Sequence, residues 1–490
     1  MSDNFSRRQF LAYSTASAAA GLVTTLPFAQ SFADTSGPTE LRIVRRNLEV
    51  LGKSAQVFGI VGANGKPGLF LEPGDRFNVT LENQAGEDAI IHWHGMTPPY
   101  LQDGVADAQR PMVVNGQSVS YNFDPQPGTH WMHSHHGLQE QLLMAAPLIV
   151  RTKVDTAADT QEVTMLLHDF TFKNPADVLA GLTKGGGTMS HDMSMSGMDM
   201  SGSAMNMSSG QGMAMSGSMQ MDLNDVDYDA YLANDRTLED PEVVTVEPKG
   251  KVRLRLINGA TSTAFNLDLG RLVGQLIAVD GNPIKPISGN QFGVTMGQRL
   301  DVLIQIPEAG AFPILAQREG DVARTGIILA TPGAAIKKVA STASKKSDVL
   351  NMSLENALRA LEPLPMRAAD VVHKIALTGS MQPYVWSIDG RTWENHRPLK
   401  VSEGQRVVVE MVNQTMMAHP MHLHGHHFQV VGIDGKAIDG AVRDTVLVPP
   451  MATVTVAFDA GNPGRWPLHC HNLLHMATGM MTEVVYDKYA

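Results

Sequence analysis

His469-Cys470-His471-Asn472-Leu473-Leu474-His475-Met476-Ala477-Thr478-Gly479-Met480 holds the only cysteine in 490 residues, with histidine on either side of it. If the run leading into it is extended, side chains alternate across the strand. The Cys470 sulfur then points one way while His469 and His471 point the other. One strand touches two sites. On the sulfur side, Cys470, His475 and Met480 offer a thiolate, an imidazole and a weak axial thioether, the ligand set of a blue copper electron-transfer site. The two histidines on the far face need a second metal site, and the bonds through Cys470 wire the two together. Taken singly, a lone cysteine is usually a small buried hydrophobe and a lone histidine a hydrogen-bonded core residue. The coincidence of all five at fixed spacing is what points to copper.

Working outward, 14 of the 18 histidines fall in four clusters, at 92–94, 130–136, 419–427 and 469–475. His92-Trp93-His94 and His133-Ser134-His135 each have i, i+2 spacing, which on a strand projects both rings to one side. Ten histidines with Cys470 and Met480 supply ligands for about four ions, one at the thiolate and three elsewhere, at three to four ligands per copper. Because the histidine pairs lie near both ends of the chain, those ends are expected to meet at the cluster. Dioxygen needs four electrons to become water, and a site that stores four avoids releasing peroxide or superoxide.

Short β-runs broken by Gly, Pro and Asn dominate: Arg76 to Leu81, Ala89 to Trp93, Ser118 to Phe123 and Pro147 to Val150 in the first region, Glu162 to Leu167 and Val252 to Ile257 in the second, Val407 to Asn413 and Thr453 to Phe458 in the third. Regular turns between alternating strands predict an all-β chain of sandwiches or barrels. The expected divisions are 34–155, 156–335, a polar linker at 336–350, and 351–490. The second region has no histidine pair and reads as a spacer that orients its neighbours. It also carries an insert, 185–224, in which residues 189–221 hold eleven of the chain's 29 methionines, with no Lys or Arg between Lys184 and Arg236.

The chain opens with Ser6-Arg7-Arg8-Gln9-Phe10-Leu11, an apolar Ala-rich run to Phe28, and small residues at Ser31 and Ala33. This is a twin-arginine export signal, 1–33, cut near Ala33 and directing the protein to the periplasm. Its removal takes away Arg7, Arg8 and Asp3, so the formal charge of −11 becomes −12. Such acidity argues against a nucleic-acid partner. No later run reaches the length of a membrane span. One cysteine excludes an internal disulfide, and a free thiol in an oxidising compartment is liable to oxidation unless a metal holds it.

With His92-Trp93-His94-Gly95, His133-Ser134-His135, His419-Pro420-Met421-His422-Leu423-His424 and the opening stretch, the sequence resembles the multicopper oxidases over nearly the whole mature chain. That resemblance implies three consecutive cupredoxin-like Greek-key β-domains and four copper ions. It places the type 1 copper on His419, Cys470, His475 and Met480, and the type 2 copper on His92 and His422. The two type 3 coppers fall to His94, His133, His135, His424, His469 and His471. Asp103, in Tyr100-Leu101-Gln102-Asp103-Gly104, aligns with an acid that many relatives place beside the type 2 copper, which suggests a proton role beyond an Asp-Gly turn. Many bacterial relatives carry a glutamate where this chain has Leu474, so Glu483 or another acid is expected to substitute.

Dioxygen is the expected acceptor. For the donor, thioethers prefer Cu(I), so Met189, Met193, Met195, Met198, Met200, Met205, Met207, Met213, Met215, Met219 and Met221 look like a cuprous-ion collector. If the run before His419 is a strand, Met417 shares its face and is a last stop for an incoming ion. This is similar to the copper-tolerance oxidases that turn Cu(I) into Cu(II). Some of those carry an acid four residues before the type 1 histidine, where this chain has Thr415. The rival readings are a laccase acting on phenols or aromatic amines and, in another class, a non-catalytic copper carrier.

Overall fold

The structure, a computed structural model, describes residues 37–107, 109–184 and 223–489. The signal segment and all eleven methionines of 189–221 lie outside the described residues. Period-two patterning sets the strands: Phe77–Gln84 buries every second residue, as does Ala311–Arg318, one face meeting the core and the other water. Strands at the heart of the molecule are buried throughout, as in Ala145–Val150 and His419–Leu423.

One two-sheet arrangement repeats three times. In each repeat the opening strand pairs antiparallel with the next strand and parallel with a later one. Thus Thr39–Val50 lies beside Lys53–Gly62 and Phe77–Gln84, Gln161–Phe170 beside Ala230–Ala233 and Lys251–Asn258, and Val371–Met381 beside Tyr384–Ile388 and Arg406–Asn413. In the facing sheet an edge strand runs parallel to the last strand of the repeat: Leu69–Leu71 with Ala145–Val150, Val243–Thr245 with Arg324–Ala330, Leu399–Val401 with Met481–Tyr486. Parallel neighbours need a crossover, and three such crossovers make three cupredoxin-like β-domains within the single unit Pro38–Ala490. The polar stretch 336–350 is tied along the second domain, with Ala343 N donating to Val322 O and Leu350 N to Glu319 Oε1. Among the described residues no helix is long and apolar enough to cross a membrane.

Candidate metal centre

Strand register gathers the histidines. Ile91–His94 runs antiparallel to Gly128–Ser134 with His92 opposite His133. His419–Leu423 runs antiparallel to Arg465–Cys470 with His422 opposite His469 and Met421 opposite Cys470. Alternation then sends Met421 and Cys470 into the apolar core of the third domain, and His422 and His469 to the opposite face, where they meet the first domain.

Eight histidines converge there. His135, His424 and His469 form one group, with the Nε2 of His469 3.0 Å from His424 Nε2 and 3.4 Å from His135 Nε2. His94 Nδ1 lies 3.2 Å from His471 Nε2, and the His133 ring lies 5.1 Å from that of His471, tilted by 54°. His92 and His422 face each other, Nε2 to Nε2, at 3.4 Å.

On the other side of the Cys470 strand, Sγ lies 3.7 Å from His419 Nδ1 and 3.6 Å from His475 Nδ1, and those two nitrogens are 3.1 Å apart. His475 sits on the short helix Leu473–Ala477, capped by Asn472, and Met480 is buried behind it with its carbonyl accepting from Cys470 N. The structure thus brings together every histidine expected from the sequence and Cys470, in two groups that share the segment 469–471, with Met480 buried in the same apolar core as Cys470.

A metal fits this arrangement because the nitrogens conflict without one. His92 Nδ1 is bonded to the Asp103 carbonyl, His422 Nδ1 to the Asp444 carbonyl and His469 Nδ1 to the Cys470 carbonyl. A carbonyl only accepts, so each Nδ1 carries the proton and each Nε2 presents a bare lone pair. His424 Nδ1 is likewise committed to the Asp103 carboxylate at 2.9 Å. The 3.4 Å and 3.0 Å contacts are therefore acceptor against acceptor, which an ordinary core would not tolerate and a cation between them resolves. His133 Nε2 is buried with no hydrogen-bond partner. Burial first, and neighbouring imidazoles second, hold His94, His133, His135, His419, His424, His469 and His471 well below the usual histidine range. All are kept in the neutral form that binds metal. Burial pushes the Cys470 thiol up, so its thiolate needs a cation.

The surrounding shell departs from expectation in several places. Asp103 is fully buried, its Oδ2 on His424 Nδ1, its Oδ1 3.4 Å from His92 Nδ1 and without a hydrogen bond of its own. Glu483, suggested for the acid missing at Leu474, is engaged by Arg465 and His396. The other acids that reach these histidines are ones the sequence did not single out. Glu140 Oε2 lies 2.7 Å from His133 Nδ1, and Asp444 Oδ1 lies 3.0 Å from His94 Nε2. At the sulfur site, Asp225 Oδ1 meets His475 Nε2 at 3.3 Å and also accepts from Tyr384 Oη at 2.7 Å, while Thr415 Oγ1 meets His419 Nε2 at 2.8 Å. Burial alone would lift Asp225, but His475 and these hydrogen bonds hold it below the usual carboxylate range.

The middle domain is accordingly more than a spacer: it contributes Asp225 and, from the strand Arg299–Gln305, Arg299. That guanidinium pairs with both oxygens of Asp444, Nη1 to Oδ1 at 2.8 Å, and donates to the carbonyls of Thr129 and Gly297. Burial works to raise Asp444, and Arg299, together with His94 and the hydrogen bonds from Arg299 and His422, outweighs it. The turn Thr295-Met296-Gly297-Gln298, closed by Gln298 N to Thr295 O, presses Gly297 against the cluster. Its φ is +80°, and a Cβ there would fall 2.8 Å from His471 Cδ2, so only glycine fits. Met417 is not on a strand with His419: the strand begins at His419, and Met417 sits in a bend whose backbone bonds to Thr415 and Asn413 side chains.

Three family models, each described as multicopper oxidase, match residues 42–155, 161–339 and 367–489. The chain is 29% identical over 484 residues to the multicopper oxidase MmcO of Mycobacterium tuberculosis, covering 96% of this chain and 92% of that one. It is 25% identical to copper resistance protein A of Escherichia coli, covering 99% of both. Among solved structures, a laccase from Botrytis aclada superposes with a TM-score of 0.73 at 21% identity, covering 92% of this chain and 87% of the other.

Proposed function

The chain belongs to the multicopper oxidases, oxidoreductases that pass electrons from a reductant to dioxygen, and from that premise we propose that it oxidises Cu(I) to Cu(II) in copper tolerance, four ions for each O2 reduced to water. Four coppers would be held: the type 1 by His419, Cys470, His475 and Met480, the type 2 by His92 and His422, the type 3 pair by His94, His133, His135, His424, His469 and His471. Bound there, copper supplies one-electron transfer and storage of the four electrons that O2 needs.

The chain's own groups do the rest. The peptide from His469 to His471 joins the donor side to the oxygen side. Asp103 holds His424 and His92 in their metal-binding tautomers and, through its unbonded Oδ1, is the group placed to move protons at the cluster. Export by the Ser6–Leu11 signal would set this chemistry in the periplasm, where Cu(I) is met.

The observation that carries the cuprous reading is where the chain leaves and re-enters the described structure. Before the methionine-dense insert, the helix Pro175–Thr183 packs Leu179 and Leu182 against the third-domain core beside Tyr384–Ile388, whose Trp386 ring lies 4.2 Å from the His475 ring. After the insert, Asp225 bonds His475 itself. Although the insert belongs to the second domain in sequence, both described flanks are moored at the donor site of the third. The name of the relative copper resistance protein A agrees with this reading.

Oxygen uptake by the copper-loaded protein with Cu(I), Fe(II) and a phenol, side by side, tests it. Deleting 189–221 is expected to depress Cu(I) oxidation selectively. Equal loss with the phenol would refute selective capture, and a blue protein that consumes no oxygen with any donor would be a carrier.

A further inference from the structure

The first-domain sheet that carries histidines runs, strand beside strand, Leu69–Leu71, Ala145–Val150, Gly128–Ser134 and Ile91–His94. Residues opposite one another on neighbouring antiparallel strands share a face, and two such rows cross this sheet: His92, His133, Ala145 and His94, Trp131, Pro147. The inner members of each row are the cluster's histidines and the tryptophan between them. The outer members, Ala145 and Pro147, line a cavity of about 670 Å³ between the first and second domains. Phe70 and Val243, both exposed, line it too, with the half-buried Arg46–Asp235 ion pair, so it opens to solvent. The cavity therefore lies on the cluster's own face of the sheet, one strand further out.

What separates the two is apolar. Trp131, Ala145, Leu166 and Ile257 form a small cluster of their own. On its inner side the Trp131 ring stacks on that of His133, centroids 4.2 Å apart and 17° from parallel, and lies 5.2 Å from His94 and 5.4 Å from His471. On its outer side Ala145 and Leu166 meet the cavity. Elsewhere the same histidines are backed by carboxylates, Asp444 on His94 and Glu140 on His133. A polar solute crossing an apolar layer gives up its hydrogen bonds to water, and an ion loses far more. Dioxygen has no such bonds to lose. It needs only the brief openings that rotamer hops provide in a close-packed interior.

We propose that this cavity is an antechamber for dioxygen, which crosses the wall of Trp131, Ala145, Leu166 and Ile257 to reach the cluster. This rests on the reading of His94, His133 and His471 as copper ligands, deepens it by naming the acceptor's way in, and is independent of the donor. Ala145 sets the bore, since a larger side chain at that place would fill the cavity floor between Pro147 and Leu166. Leu166 is the moving part. Its backbone is pinned, N–H to Asn234 Oδ1 at 2.8 Å, while Gly259 beside it leaves the side chain room: a Cβ there would fall 2.9 Å from Leu166 Cδ1. The same wall turns back a metal ion or a phenol. Reductant and oxidant are thereby kept apart, and electrons reach the cluster by the peptide from His469 to His471.

The test pressurises crystals of the copper-loaded full chain with xenon, an apolar gas located by its anomalous scattering, and xenon is expected in the cavity against Ala145 and Leu166. In solution the protein is reduced without oxygen, mixed with O2, and the return of its blue band is timed. Ala145→Val suits a strand and narrows the floor. It should slow this reoxidation about tenfold without changing how fast the donor bleaches the blue band when O2 is absent. Leu166→Ala, which thins the wall, should speed reoxidation. Xenon missing from the cavity, unchanged reoxidation in Ala145→Val, or a Leu166→Ala protein no faster than wild type overturns the route. Crystals with no copper at His94, His133 and His471 overturn instead the ligand reading beneath it.

Discussion

Replacing Arg299 by methionine tests whether a domain without copper ligands holds the cluster together. Methionine keeps an unbranched apolar stem but removes the two-pronged pairing to Asp444 and the donors to the Thr129 and Gly297 carbonyls. Asp444 is 1% exposed, so its charge would be left largely uncompensated. Breaking a buried ion pair by removing one partner costs about 3–5 kcal/mol, and an orphaned carbonyl adds about 1–3 kcal/mol unless water reaches it. A loss on the order of 5 kcal/mol lowers the unfolding temperature by roughly 5 °C if about 450 residues unfold together. The fall is about 15 °C if one domain of ~150 residues unfolds alone, at ~2 cal/mol/K of unfolding entropy per residue. Calorimetry of the copper-free protein reads this. Asp444 also orients His94 and His422, so type 2 copper, measured by metal content and its electron paramagnetic signal, should bind about 10- to 100-fold more weakly. Arg299→Met combined with Asp444→Asn removes the stranded charge and should recover part of the stability. An Arg299→Met protein with unchanged unfolding and full type 2 copper would refute the reasoning, and a double variant no better than the single would show that the charge is not what matters.

Three further outcomes are expected. Because burial raises Glu319 from 4.5 to about 7, the folded copper-free chain holds a proton that the unfolded chain releases. Stability is then present below pH 4.5 and lost as pH rises through 7, by roughly 3 kcal/mol. Glu319→Gln should narrow the gap in unfolding temperature between pH 5 and pH 8, and an unaltered gap would contradict the assignment. Asp225→Asn should shift the blue absorption band and weaken copper at the sulfur site about 10- to 100-fold while leaving the type 2 signal alone; a disturbed type 2 signal with an unmoved blue band would reverse the placement. Asp103→Asn should slow oxygen reduction with every donor by roughly a hundredfold and alter its pH profile, and rates matching wild type at all pH values would remove Asp103 from proton handling.

What could be read from the sequence was whatever rests on short-range period. Alternation at His469-Cys470-His471 is a rigid property of extended backbone, and the structure places sulfur and imidazoles on opposite faces as that period requires. Register could not be read, because pairing His92 with His133 depends on the turns and core between them. The hairpin from Thr39–Val50 into Lys53–Gly62 escaped notice because its turn puts Leu51 at φ 51°, a conformation leucine rarely adopts and so no turn signal. Met417 was expected on a strand, but Asn413 and Thr415 side chains capture the local backbone and bend it. Asp225, 250 residues from His475 in sequence, and Arg299, 145 from Asp444, belong to no spacing pattern. They are found only when three domains are folded against one another.

The middle domain's part follows from the electrostatics of the cluster. Histidines held neutral by burial cannot use charge to fix their rings, so most rings are fixed by the nitrogen that faces away from the metal. Three of those nitrogens take backbone carbonyls, those of Asp103, Asp444 and Cys470. Others take carboxylates, Asp103, Asp444, Glu140 and Asp225, each of which brings a buried negative charge. A buried carboxylate is stable only where something compensates it. For Asp444 that is Arg299, and Arg299 is itself held by carbonyls of the first and second domains. The first and third domains can supply every proposed copper ligand, yet they do not supply the arginine that lets Asp444 stay ionised between His94 and His422. The domain without ligands is where that counter-charge is anchored, so removing it would cost the cluster its geometry even with all ten histidines present.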